Sequence, residues 1–393
     1  MTSTAKLLHH SDGGRPVTNP VNPVLRTIVA ELPGPSWTTD ELLEAAGDRF
    51  SDALRDMLSR LGIDRRYSVL ANYPAVLFAG ADPELAVPAS SLAARAVRAC
   101  IDKSGVRPED IGLVLGVSSS PARLLPSLVC DLFVRVPELP RSAMNLSIEY
   151  MGCSAIAKAV DCARWFLTTH PDQLVLVCFM EAITPLSPPL PGRYAHFSEV
   201  SPAQRQSTVD AMHGFLFADA AVAMILGADG SGPVFGPVEH CTNAHPEDAE
   251  LGTVPDGGSD VPVVTGPRRV YTLSPDVTAR GTFYATHTVE RLLARPDVPL
   301  REPRGATALL MHTGSRRILD GLCDQFHVRT DSPAAASSYR ILRDYGNTLG
   351  CSVPLMLADS VRRPAGHALL VAFGLSFSSG AFIMDVPEGG WMP

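Results

Sequence analysis

The sequence predicts a layered α/β protein, and three observations carry that prediction. Short, wholly apolar runs alternate with amphipathic stretches, as buried strands alternate with covering helices. Of 393 residues, 46% are hydrophobic and only 19% charged, which excludes a disordered, collagen-like or coiled-coil chain and leaves room for a sizeable core. A Gly- and Pro-rich break, ADGSGPVFGP, follows Gly227, and the same style of pattern then begins again.

In chain order, residues 1–24 are polar and interrupted by Gly13, Gly14, Pro16, Pro20 and Pro23, so they read as a loose arm. The apolar runs 27–32, 111–117, 143–148, 174–181 and 221–226 read as buried strands, and 90–103 and 154–167 as helices between them. After the break, the stretch 240–267 is turn-rich and acidic. Strands are expected at 307–311, 368–373 and 381–384, with helices at 315–326 and 352–361. The division is thus an arm, a first half at 25–232 and a second half at 233–393, built around a shared helical layer.

Composition also limits function. A net charge of -8 argues against nucleic acid, whereas a small anionic substrate needs only a local basic patch. Eight cysteines without a C-x-x-C pair or a metal-like His spacing give neither a disulfide framework nor a metal site. A reducing, cytoplasmic setting follows as the expectation. The start, MTSTAKLLHHSDGGRP, lacks an apolar signal core, and runs such as 174–180 are far too short to span a membrane. Arginine dominates over lysine, present only as Lys6, Lys103 and Lys158, which hints at a GC-rich bacterial genome.

Three residues stand where chemistry is expected. Cys153, in EYMGCSAIAKAVDCARWFL, follows a strand and Gly152 and opens a helix, where the macrodipole favours a thiolate. The alternative is an inert core cysteine, the reading given to Cys100, Cys162, Cys178 and Cys323. His312 stands at the exit of the apolar strand ALLM. Asn347, in DYGNTLGCSVPLML, lies between Gly346 and Gly350 before a helix.

The motifs G-C-S-A-I-A, H-T-G-S-R-R-I-L-D and Y-G-N-T-L-G-C-S-V, in that order, resemble the Cys, His and Asn motifs of the thiolase-fold condensing enzymes. The resemblance is to the type III polyketide synthases, the chalcone synthase relatives, and extends over about residues 25–387 through LGIDRRY, V-L-V-C-F-M-E-A-I-T, L-F-A-D-A-A-V-A-M-I-L-G and A-F-G-L-S-F. The segment G-N-T-L-G-C-S-V-P-L-M-L also resembles the initiating β-ketoacyl-acyl-carrier-protein synthases. It implies a duplicated βαβαβαββ fold in five layers, αβαβα, with Cys153, His312 and Asn347 as catalytic residues.

Where the chain departs from the chalcone group, Ile156 and Ala157 replace a glycine pair, and Ser187 stands near the place of an aromatic gatekeeper. The resemblance assigns Ser187, Tyr271, Leu125, Phe217 and Gly374 to substrate binding and sends Leu125 across a homodimer interface. It also places Arg55 and Arg60 near the phosphates of CoA, although a solvated helix face explains those arginines equally well. The implied reaction is a decarboxylative Claisen condensation of an acyl thioester with malonyl-CoA or malonyl carrier protein in polyketide or antibiotic biosynthesis, with a starter other than coumaroyl and few extensions. No metal or bound cofactor is expected, since CoA or phosphopantetheine thioesters are the substrates. Two alternatives remain: acyl transfer to an alcohol or amine without condensation, and a non-catalytic partner subunit. A cysteine protease is disfavoured by the absence of papain-type flanks, and a thiolase by the absence of a second cysteine in AFGLSFSSGAF.

Overall fold

The computed structural model describes residues 20–254, 256, 272–274, 276–374 and 378–393. Its frame is a mixed sheet of nine strands: β1 (Val24–Glu31), β2 (Ile111–Ser120), β3 (Met144–Glu149), β4 (Leu174–Glu181), β5 (Ala220–Gly227), β6 (Val234–Thr242), β7 (Ala308–Met311), β8 (Gly366–Gly374) and β9 (Ser378–Val386). They are ordered β7-β8-β9-β6-β1-β5-β4-β2-β3. The strands up to Gly227 form one wing and those from Val234 the other, and the wings join through a single residue pair, Val24 with Val234.

Strand residues alternate between two apolar clusters, and this alternation builds the layers. In β4, Val175, Val177 and Phe179 face a central cluster, while Leu174, Leu176, Cys178 and Met180 face an outer one. In the other wing, Leu370 of β8 and Phe382 of β9 face the same central cluster, while Leu369 and Ile383 face a third. A strand covered on both faces needs no polar side, which is why these runs are apolar throughout. Helix α1 (Ala89–Ser104) covers the outside of the first wing. Between the wings lie α2 (Ala155–Thr169), touching β2, β4, β6 and β9, and α5 (Ser352–Ala358). Outside the second wing lie α3 (Val277–Leu293) and α4 (Arg316–Gln325). That is helix, sheet, helix, sheet, helix, the thiolase-like arrangement.

Strand β6 departs from the sequence expectation, which read Gly236 and Pro237 as part of a break. The register of β6 against β9 shifts between Phe382 and Met384, so both residues sit at a bulge, where a proline costs no regular ladder bond. Helix α3 was also unforeseen, because Thr288 and small Ala285 dilute its buried stripe. The expected helix at 352–361 stops at Ala358. In the loop after β2, Leu124 and Leu125 are exposed, whereas Leu128 is buried. It opens the helix Leu128–Arg135 and packs into the outer cluster with α1.

Candidate active site

Cys153 sits in a 3-10 turn, Gly152–Ser154, between β3 and α2. The turn enters at Gly152, whose φ of 57° suits a residue without a β-carbon. Both wings then fasten it. From the first wing, Ser119 Oγ accepts a hydrogen bond from the Gly152 amide at 2.9 Å. From the second, Ser378 Oγ lies 3.0 Å from Ser154 Oγ, and Lys158 donates to both hydroxyls, at 3.0 Å to Ser154 and 2.6 Å to Ser378. Burial lowers the Lys158 ammonium to about 8. Gly374, at the end of β8, lies so close that a β-carbon there would overlap the Cys153 amide nitrogen.

The Cys153 side chain shares one apolar cluster with Ile183, Phe217 and Leu349, with Leu186 and Leu216 against it. Asn347, two residues before Leu349, pairs through its backbone with Phe217. Its Oδ1 accepts from the Leu349 amide at 3.0 Å, and its Nδ2 donates to Gly314 O at 3.3 Å. Gly314 in turn neighbours His312, for a β-carbon there would be 3.7 Å from His312 Nε2. The His312 ring meets Phe373 edge-on at 5.6 Å between centroids, and Phe373 precedes Gly374. Contacts therefore run in a closed circuit through Cys153, Leu349, Asn347, Gly314, His312, Phe373 and Gly374.

Burial opposes the thiolate that a helix N-terminus favours. Burial pushes the Cys153 thiol well above its usual range, and the Glu181 carboxylate adds to that rise. Burial pulls His312 down to about 3, so its imidazole is neutral near pH 7. His312 Nδ1 is buried with no hydrogen-bond partner among the described residues. Both directions favour the uncharged forms, a thiol and an imidazole. The helix dipole does not overcome desolvation here, because Cys153 lies inside the apolar cluster and not at a wet helix end.

The residues singled out for substrate binding divide. Phe217 and Gly374 adjoin Cys153, as described above. Ser187 is buried, 3.1 Å from Tyr73 Oη and 3.2 Å from His213 Nδ1, so its hydroxyl already belongs to a polar chain that ends where Tyr73 donates to Gly214 O. Arg55 donates to the carbonyls of Leu43 and Gly47, closing the end of the helix Thr39–Ala46, and exposed Arg60 pairs with Asp56. Both are engaged locally, in keeping with a solvated helix face. Leu125 is 85% exposed in the loop before Leu128. Tyr271 lies outside the described residues.

Two buried acids escaped the sequence reading. Asp219 accepts from the amides of Val69, Ile183 and Thr184 and from the Thr184 hydroxyl, which fixes the turn carrying Ile183 against Cys153. Glu181 accepts from Ser119, Ser120 and Gly350. Burial raises the two carboxyls to about 6 and about 7, respectively. The available signal was a single acid closing each otherwise apolar run: Glu181 after VLVCFM, and Asp219 before AAVAMIL. Among the described residues, no group of three or more His, Cys, Asp or Glu could hold a metal ion, and no helix is long and apolar enough to cross a membrane.

Comparison with known proteins agrees with this architecture. Residues 80–187 match the family model described as FAE1/Type III polyketide synthase-like protein. Residues 302–386 match the model of the 3-oxoacyl-[acyl-carrier-protein] synthase III C-terminal region. The β-ketoacyl-[acyl-carrier-protein] synthase III of Nitratidesulfovibrio vulgaris is 26% identical over 308 residues, covering 75% of this chain and 82% of that protein. Among solved structures, the C-terminal type III polyketide synthase domain of Steely1 from Dictyostelium superposes with a TM-score of 0.72 at 16% identity, covering 93% of this chain and 99% of that one. The 3-oxoacyl-(acyl carrier protein) synthase III, FabH, of Pseudomonas aeruginosa PAO1 gives 0.69 at 16% identity, covering 93% and 99%. The chain thus has the thiolase-like fold, and it is similar both to the ketoacyl synthase III enzymes and to the type III polyketide synthases.

Proposed function

We propose that the chain catalyses a decarboxylative Claisen condensation, with Cys153 as nucleophile and His312 and Asn347 as the groups that stabilise the enolate. The observation that carries this reading is the circuit of contacts joining the turns of those three residues around one apolar cluster. Cys153 gives its proton to His312 as it attacks the thioester carbonyl. The departing CoA or phosphopantetheine thiolate takes that proton, and the acyl group stays on sulfur. A malonyl thioester then enters. Hydrogen bonds from His312 and Asn347 to its thioester oxygen stabilise the charge left as carbon dioxide departs, and each such donor contributes about 3 kcal/mol in the transition state. The carbanion attacks the acyl carbonyl, Cys153 leaves as a thiolate, and a proton from solvent restores its thiol. The apolar lining of Ile183, Phe217 and Leu349 favours a hydrocarbon acyl chain and keeps water from the enolate.

The working unit is a homodimer in a reducing, cytoplasmic setting, and the product belongs to polyketide or related biosynthesis. Support for the dimer lies at the free edge of the sheet. Met144 and Leu146 of edge strand β3 are exposed, and so are Leu124 and Leu125 in the loop after β2, apolar side chains that a second copy would cover.

Intact-protein mass after incubation with a panel of acyl-CoA thioesters, followed by malonyl-CoA, tests the reading. An acyl adduct on Cys153 and release of carbon dioxide are expected. An adduct that passes to an alcohol or amine without carbon dioxide release would establish simple transfer, and no adduct with any thioester would establish a non-catalytic subunit.

A further inference from the structure

Away from the candidate active site, three arginines and a serine enclose a surface pocket of about 320 Å³. Ser91, Ala94, Arg95 and Arg98 stand at i, i+3, i+4 and i+7 along α1, so they share one face of that helix. Arg135, the last residue of the helix Leu128–Arg135, completes the wall. Small, buried Ala94 forms the floor, and the long arginines form the sides. The other face of α1, with Leu92, Ala93, Ala96 and Val97, packs into the outer cluster against β4 and β5. Helix α2, which Cys153 precedes, packs on the opposite face of that sheet, so the pocket is separate from the site described above.

The fold uses few of the donors these side chains offer. Arg95 makes no hydrogen bond among the described residues and comes no closer than 3.8 Å to Glu31. Arg98 gives one N–H to the Arg135 carbonyl and stands 3.7 Å from Glu138. Arg135 donates to Ser91 Oγ at 3.2 Å and has no carboxylate partner among the described residues. A guanidinium presents several N–H groups in a planar fork, so most of those around the pocket stay open to a ligand, and the Ser91 hydroxyl keeps its own proton to donate. Glu31 and Glu138 are part-exposed and do not line the pocket, so water screens their pull on the arginines.

We propose that this pocket binds a small phosphoanion, held by Arg95, Arg98, Arg135 and the Ser91 hydroxyl. Donors converge on it from two helices, which suits a tetrahedral group with oxygens pointing several ways better than a planar carboxylate, and three cations suit a charge of two or more. The lining offers no exposed apolar side chain to anchor a peptide or an acyl chain. A bound anion ties α1 to the helix Leu128–Arg135, into which the loop with exposed Leu124 and Leu125 leads. The site stands whether or not the chain performs the condensation.

Isothermal titration calorimetry of the full chain with inorganic phosphate, pyrophosphate and methyl phosphate, at constant ionic strength, tests the proposal. Saturable binding of one anion per chain is expected. Tighter binding of methyl phosphate than of inorganic phosphate would identify a phosphate ester as the ligand, and the reverse order a free phosphate. Arg95→Gln, Arg98→Gln and Arg135→Gln should each weaken binding by at least about tenfold. Arg193→Gln removes the same charge at an exposed site where Arg193 pairs with Asp48, and should leave binding unchanged. No saturable heat with any of the three probes overturns the site, as does unaltered binding in Arg95→Gln. Equal weakening in Arg193→Gln would show a general attraction to positive charge and overturns it too. Because Arg95 makes no hydrogen bond within the fold, Arg95→Gln decides alone if the other two pocket variants do not fold.

Discussion

Two turns of this molecule carry the same tripeptide. Gly152-Cys153-Ser154 precedes α2, and Gly350-Cys351-Ser352 begins in the 3-10 turn Leu349–Cys351 and enters α5. Each is a short 3-10 turn entering a helix of the central layer, and Glu181 raises the thiol in each. Their surroundings differ. Cys153 keeps 6% of its surface and faces a cluster edged by Phe217 and Leu349, whereas Cys351 is fully enclosed and its thiol donates to Ala220 O at 3.4 Å. A cysteine at the head of a helix is therefore not a nucleophile by position alone. What separates the two is an open side and the circuit leading to His312 and Asn347.

The largest expected contrast is covalent. Cys153→Ala should abolish the acyl adduct, while Cys351→Ala should keep it, as read by intact mass after acyl-CoA treatment. An adduct surviving in Cys153→Ala would break the comparison. Next is Asn347→Ala, which loses one enolate donor. Decarboxylation should slow by about 100-fold, corresponding to about 3 kcal/mol, with acylation of Cys153 much less affected. Parallel assays of carbon dioxide release and adduct formation check this. Gly374→Ala forces a β-carbon onto the Cys153 amide. It should cost about 1 to 3 kcal/mol of stability and impair acylation, whereas alanine at Gly34, which has open space, should do neither. Thermal melts and adduct rates on both variants separate the two sites.

The smallest expected effect lies in the acid stability profile. His213 and His312 are pulled down to about 3 from 6.5, so below 6.5 the unfolded chain binds protons that the folded chain does not. Stability attributable to them falls as pH drops from 6.5 toward 3. Glu181 and Asp219 are raised to about 7 and about 6, so the folded chain holds their protons longer, and their contribution falls as pH rises through the same middle range. The opposed slopes offset above about 4.5, and the histidine slope should show below it. Denaturant titrations from pH 3 to 7 on wild type and His213→Gln should give a shallower acid limb in the variant.

Much of this was legible in the sequence. Runs buried on both faces announce themselves, as 174–181 does, because no polar periodicity is needed there. The bulged strand through Gly236 and Pro237 was hidden, since local punctuation outweighed a pairing made with distant β9. At the site, Cys153, His312 and Asn347 were singled out from strand exits, glycines and a family resemblance. Their protonation was not, because a thiol's pKa depends on neighbours such as Glu181 that only the folded chain brings near. Ser187 illustrates the same limit: alignment gave a position, and the partners Tyr73 and His213 came from helices far away in the chain.

The central apolar layer has a consequence for how the chain can be divided. Leu25 of β1, Ile156 of α2, Met356 of α5 and Phe382 of β9 belong to one continuous core, so each wing supplies half the walls of a common interior. Cutting the chain between Gly227 and Val234 would leave each fragment with a sheet face and a helix stripped of their cover. Such fragments expressed separately should be insoluble or molten, and expressed together should reassemble into an active pair, which makes the 228–233 link a natural site for a split reporter of acyl-enzyme assembly.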